Sequence, residues 1–290
     1  MPHLPRKTVP RRALALVVVL AALLAACGTR ASDAGDNFRL SEDQLRPTTT
    51  IPVPDHTTTT VEATGEALEV FAEKPGDPAP PTAAPVAFAA AAVQPIPRPG
   101  LDYSFAQTTP TGWLFRNPTY FGNPLVMVVT GVEGDWLQVA IPARPNGQVG
   151  WVRATDVNVT QHRFHAELVL SERLFTVWDD TTPVAQTNVV VGTDNTPTPL
   201  GTHYISEKIT AAAAGVSPGG AYGPWILATS AYSETLDQFD GGLPVIAFHG
   251  TNAPGLIGSA ASNGCIRMPN DVVTLLAETI PPGTPVTVRA

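Results

Sequence analysis

The residues with the clearest chemical potential lie in the last quarter of the chain: His249, in VIAFHGTN, and Cys265, in SAASNGCIRM. A thiol is a useful nucleophile only when ionised. A nearby imidazole takes its proton and holds the thiolate as an ion pair, bringing the thiol pKa from about 8.5 to well below neutral. The two residues are sixteen positions apart, joined by a glycine-containing segment that can fold back onto the strand end carrying the histidine. Attack on a carbonyl also needs donors for the developing oxyanion. The backbone amides of Gly264 and Cys265 are the candidates, Gly264 because a residue without a Cβ lets backbone and substrate approach closely. Arg267 is the only Lys or Arg between Lys208 and Arg289. It would fix a substrate carboxylate or stabilise the thiolate, and an ion pair with Asp271 at a helix flank is the alternative.

Other readings of the same residues are weaker. A free cysteine is most often a small buried hydrophobe, but Ser262-Asn263-Gly264 before it and Arg267 after it are poor company for an apolar core. A metal site built on His249 and Cys265 would need two further ligands at plausible spacing, and none stands out, so neither metal nor cofactor is expected. His203 falls in a strand-like stretch and reads as structural. His162 and His165 read as surface residues near a domain junction.

The elements that must position this pair are mostly strands. HAELVLSERLFTVWDD alternates as a hairpin turning at Ser171-Glu172-Arg173, and VAQTNVVVG, WILATSA and PVIAFHG are further strand candidates. One helix is expected, DVVTLLAETI, capped by Asn270 and stopped by Pro281-Pro282. This unit spans residues 161–290. Upstream, residues 105–158 hold five short strand candidates, with turns at Gly-containing and Asn-Gly positions, enough for a small barrel. Trp136 and Trp151 are expected to fill it.

The N-terminal part differs in composition. Arg6, Lys7, Arg11 and Arg12 precede an apolar run over residues 13–26, too short to span a bilayer comfortably, which reads as a signal peptide within residues 1–27. Residues 28–104, rich in Pro, Thr and Ala, are expected to be a disordered linker, with weak helical periodicity over 61–73. Without the four basic residues of the leader, thirteen basic face 25 acidic residues, a balance of −12. Nucleic acid is thereby an unfavourable partner.

Three stretches carry resemblances. Leu24-Ala25-Ala26-Cys27 resembles a bacterial lipobox, which implies lipidation of Cys27, membrane attachment and an extracytoplasmic protein facing the cell wall. WLQVAIPARPNGQVGWVRATDV resembles a bacterial SH3-like domain. HGTN…SNGCIRM, with TPTPLGTHYI and YGPWILATSA, resembles the catalytic domain of the L,D-transpeptidases of the YkuD type. The implied fold class is mainly β: a small SH3-like barrel followed by a YkuD-type domain with one C-terminal helix. The resemblance implies Cys265 as nucleophile, His249 as base and the Gly250 carbonyl as the group orienting the imidazole. Arg267, Asn263, Ser262 and Tyr232 are the expected substrate contacts. The implied reaction joins peptidoglycan stem peptides by 3→3 cross-links through a cysteine acyl-enzyme, with carbapenems as covalent inhibitors. L,D-carboxypeptidase activity, protein anchoring to peptidoglycan and an inactive wall-binding module remain alternatives. Asn263 departs from the family, which usually has a histidine two residues before the cysteine; an amide offering a donor and an acceptor can shape the loop in its place.

Overall fold

Apolar and polar residues alternate at period two through most of the chain after residue 56, and strands are the result. The computed structural model describes residues 56–76 and 106–290, all within one compact unit. The first module is an antiparallel sheet of β1 (Thr58–Ala63), β2 (Ala67–Phe71), β3 (Ala106–Thr109), β4 (Gly112–Arg116), β5 (Val126–Glu133), β6 (Trp136–Ala140), β7 (Val149–Arg153) and β8 (Val157–His162). Their order in the sheet is β3-β4-β2-β7-β6-β5-β1-β8. Gln138 of β6 faces Trp151 of β7. Trp136 is buried and meets the Phe71 ring edge-on at 5.4 Å, with the Arg153 guanidinium over both rings.

The linker expectation fails over residues 58–71. They form two strands of the first sheet, β1 between β5 and β8 and β2 between β4 and β7. Neither is helical. Leu68 and Val70 point into the core with Phe115, Met127, Val139 and Val152, while Glu69 between them stays outside the core cluster. That is period two, partly masked in the sequence by helix-favouring Ala and Glu, and burial against neighbouring strands overrides the local propensity. The rest of residues 28–104 apart from 56–76, together with the apolar run and Cys27, lies outside the described residues.

The second module begins at β9 (Phe164–Val169), β10 (Leu174–Asp179) and β11 (Thr182–Asn188), with the expected hairpin turn between β9 and β10. β12 (Val191–Gly192) leads into β13 (Gly201–Thr210), β14 (Trp225–Tyr232) and β15 (Val245–His249), followed by β16 (Ala260–Ser262), β17 (Ile266–Arg267), helix α1 (Asn270–Thr279) and β18 (Pro285–Arg289). The main sheet runs β11-β10-β9-β18-β13-β14-β15-β17, and β12 pairs with β16 apart from it. The protein is thus mainly β, with one α-helix among the described residues. No helix among them is long and apolar enough to cross a membrane.

Helix α1 buries Val272, Val273, Leu276 and Ala277. Its last carbonyls would otherwise lack partners; Lys208 donates to Ala277 O at 2.8 Å and Ile280 O at 3.1 Å, placing a cation where the helix dipole favours one. Asn270 does not cap its own helix, contrary to expectation: Pro269 is the N-cap residue and no side chain caps it. The Asn270 amide has a different use, described below.

Candidate active site

Strand geometry brings the candidate residues together. β15 and β17 are parallel, with Phe248 opposite Ile266 and His249 opposite Arg267. Alternation then puts Ile246, Phe248 and Ile266 on the core side, where all three are buried, and His249, Cys265 and Arg267 on the other. Cys265 and His249 are diagonal neighbours on adjacent strands, a separation that side chains can bridge. Both line a cavity of about 170 Å³, with Asn263, Arg267, Tyr222, Leu236 and Phe239.

His249 is held from three sides. Its Nδ1 lies 2.7 Å from Gly250 O. A carbonyl only accepts, so Nδ1 carries the proton and the neutral ring has Nε2 free as a base. The ring packs against Tyr222 at 4.9 Å between centroids, and Met268 N–H donates to His249 O at 2.9 Å.

Asn270 fixes the next turn by accepting the Thr251 N–H on its Oδ1 at 2.8 Å. It also wedges against two glycines: a Cβ on Gly250 would come within 2.2 Å of that oxygen, and one on Gly223 within 2.5 Å. Sequence reasoning missed this positioning role, because a polar residue next to a helix reads first as a cap.

The loop before Cys265 is shaped by side chains expected to bind substrate. Ser262 is buried; it donates to Cys265 O at 2.6 Å and accepts the Gly264 N–H at 3.2 Å. It is therefore a loop former, not a free substrate contact. The Gly264 amide is engaged, which leaves the Cys265 amide as the remaining oxyanion candidate. Gly264 is required for another reason: its φ is +110° and an added Cβ would lie 2.9 Å from the Ile246 side chain. Thr198 Oγ1 donates to Gly264 O at 2.8 Å. Asn263 is exposed on the cavity rim.

Tyr232 is buried, and its hydroxyl donates to Pro142 O at 2.9 Å. It lies at the seam between modules, lining a second cavity of about 260 Å³ that also reaches Cys265 and includes Glu207 and Asp240. Glu207 is buried, receives hydrogen bonds from Thr119 and Asn123 of the first module, and is pushed up from the usual carboxylate range by burial, which those bonds partly offset.

The charge state differs from expectation. Burial pushes the His249 imidazole down to about 4; the Gly250 bond opposes this and the Arg267 charge adds to it. Burial raises the Cys265 thiol, with a backbone interaction at Ala247 and the Arg267 charge pulling the other way. Both shifts favour the uncharged forms, thiol and neutral imidazole. Burial is the first cause in each case, because it penalises the charged form of either group. Among the described residues no hydrogen bond joins the two; the thiol faces Val245 O at 3.8 Å.

The other histidines are less exposed than expected. Both ring nitrogens of His162 are buried without partners, and His165 stacks between His56 at 3.7 Å and Trp178 at 5.2 Å. His203 is buried in β13. Among the described residues no group of three or more His, Cys, Asp or Glu could hold a metal.

Residues 163–288 match the model of the YkuD family, the L,D-transpeptidase catalytic domain. Over this segment the chain is similar to L,D-transpeptidase catalytic domains. The "Putative L,D-transpeptidase YkuD" of Bacillus subtilis is 39% identical over 101 residues, covering 35% of this chain and 51% of that protein. The namesake protein of Bacillus licheniformis is 37% identical over 100 residues, 34% of this chain and 50% of its own length. The chain thus spans about half the length of these curated relatives. Among solved structures, the L,D-transpeptidase from Mycobacterium smegmatis aligns over 57% of this chain and 90% of its own at 16% identity, with a TM-score of 0.35.

Proposed function

We propose that the chain is a peptidoglycan L,D-transpeptidase in which Cys265 forms the acyl-enzyme and His249 moves the proton. The observation that carries this reading is the Gly250 carbonyl on His249 Nδ1, which leaves Nε2 as the base in a cavity shared with the thiol. As Cys265 Sγ attacks the carbonyl of the third stem residue, Nε2 takes the thiol proton, the Cys265 amide receives the oxyanion, and the proton passes to the departing D-alanine amine. An amine of a second stem then attacks the thioester, giving a 3→3 cross-link and the free thiol. A neutral resting pair suits this sequence, since charge develops only as the bond forms.

Arg267 supports recognition of a carboxylate in the first cavity. The second cavity, with Glu207 and Asp240, supports an amine as acceptor, because a carboxyl oxygen there can accept a hydrogen bond from the neutral amine while the amine lone pair attacks the thioester. L,D-carboxypeptidase and protein-anchoring activities differ only in that acceptor. Lipidation at Cys27 would place the enzyme on the outer face of the membrane, and an SH3-like role of the first module would set it against the wall.

Mass spectrometry of the full chain after incubation with a carbapenem is the direct test. One adduct on Cys265 is expected, none in Cys265→Ser, and a much slower one in His249→Ala. An adduct elsewhere, or none in the wild type, rejects the reading. A stem tetrapeptide with and without an acceptor amine then separates cross-linking from hydrolysis.

A further inference from the structure

We infer that Arg144 and Asn146 of the first module are positioning residues for the substrate cavity, holding the 233–243 loop over it. The inference rests on the transpeptidase reading for what the cavity binds, but not for the contact itself. The loop, SETLDQFDGGL, joins β14 to β15 and supplies Leu236 and Phe239 to the cavity that contains His249 and Cys265. It has little core of its own: Leu236 is half-buried and residues 237–240 are exposed. Its internal bonds make two small turns, Leu236 N–H to Ser233 Oγ at 3.1 Å and a reciprocal pair between Phe239 and Gly242 at 2.9 and 3.0 Å. A segment with few buried contacts opens at low cost unless something else holds it.

What holds it comes from about ninety residues earlier in the chain. Arg144 Nη1 donates to Asp237 O at 3.2 Å, and Nη2 to Leu236 O at 3.2 Å and Ser233 O at 3.5 Å. A guanidinium presents several donors in a fixed plane, so one side chain can span three carbonyls of an irregular loop. Asn146 grips the loop's root: Nδ2 donates to Tyr232 O at 2.8 Å and to Glu234 Oε1 at 3.2 Å, while Oδ1 accepts the Tyr232 N–H at 2.8 Å.

The platform carrying both residues is itself fixed to the second module. Tyr204 donates to Ala140 O at 3.1 Å and Tyr232 to Pro142 O at 2.9 Å, and Thr119 and Asn123 bond to buried Glu207. The first module therefore acts on the neighbouring site by bracing one wall of its cavity.

The test uses the full chain and three readouts. In Arg144→Ala, amides 234–239 are expected to exchange ten- to a hundredfold faster while other amides keep their protection. The saturation constant for carbapenem acylation should rise about tenfold with the limiting rate changed less than threefold. Alkylation of Cys265 by iodoacetamide should be unchanged or faster, because a small reagent needs access and not a formed wall. Arg144→Lys should recover part of the loop protection, and it carries the test if the alanine variant does not fold. Loop exchange equal to wild type in the folded variant overturns the inference, as does acylation and alkylation falling together with protection throughout the chain. Absence of any acylation in the wild type, with loop exchange still dependent on Arg144, would reject the transpeptidase reading and leave the brace standing.

Discussion

Replacing Arg267 by methionine should slow alkylation of Cys265 roughly five- to tenfold at pH 7.5, through the electric field of the side chain and not its contacts. The two residues are two positions apart on one face of the chain entering β17, so about two strand steps of ~3.3 Å separate them. At an effective dielectric of about 20, unit charges at that distance interact by about 2.5 kcal/mol. Arg267 is only partly buried, and solvent and salt screening leave about half of that, on the order of 1.2 kcal/mol. Because the guanidinium favours the thiolate, its loss lowers the thiolate fraction at fixed pH by the corresponding factor. His249 would regain protons more readily without Arg267, yet it remains buried and stays neutral at pH 7.5.

The assay is the rate of iodoacetamide alkylation from pH 5 to 10 at low salt, repeated at 1 M salt. Wild-type rates should still be climbing above pH 8, since burial raises the thiol; the methionine curve should lie at higher pH, and high salt should narrow the gap. Arg267→Lys should resemble wild type. A wild-type plateau already reached by pH 6 would mean that the resting pair is an ion pair and that the burial argument is wrong. Superimposed wild-type and methionine curves would show that the Arg267 field does not reach the thiol.

Leu68→Ala should destabilise the chain by about 2–5 kcal/mol in urea denaturation, as for a fully buried core residue, whereas a linker position would change it by less than about 0.5 kcal/mol. Asn270→Ala should lower carbapenem acylation at least about tenfold with a modest fall in Tm, because Thr251 and Gly250 lose their anchor; Asn270→Asp, which keeps the acceptor oxygen, should retain more activity. Asn263→His should leave acylation within about tenfold of wild type, a change of about 1.4 kcal/mol. Asn263 is exposed at the rim, so a much larger gain would show that a second histidine takes part in proton transfer.

The pairing of His249 with Cys265 was legible because both sit in short, chemically unusual stretches and because parallel strands translate their spacing into a shared face. The protonation of that pair was not legible. It depends on burial, and Tyr222, which packs on the imidazole, belongs to a loop rich in Gly, Pro and Ala that gives no hint of where it folds. The strands at 58–71 were hidden by composition: Thr- and Pro-rich flanks on both sides suggested one continuous linker, and only the partners Phe115 and Val152 reveal that Leu68 and Val70 face a core. The resemblance implies substrate contacts at Ser262 and Tyr232, and the sequence pattern a cap at Asn270. Each is engaged by backbone instead, Ser262 within its own loop and Tyr232 and Asn270 by distant segments, and such engagement leaves no periodic signal.

The scarcity of cations in the second module strengthens the electrostatic role given to Arg267. Lys208 is engaged with the carbonyls at the end of α1, Arg289 with Glu167, and Arg163 with Asp180. Arg267 lies between them in sequence order with no ion pair among the described residues, including none to Asp271, while facing the cavity of His249 and Cys265. In an acidic chain, a partly buried guanidinium beside two neutral titratable groups has few other routes to charge compensation. An incoming carboxylate would supply it and would at the same time weaken the field that favours the thiolate. Substrate binding and thiol ionisation are then opposed through this one residue, so a bound carboxylate should shift alkylation of Cys265 in the same direction as Arg267→Met and should have no effect in that variant.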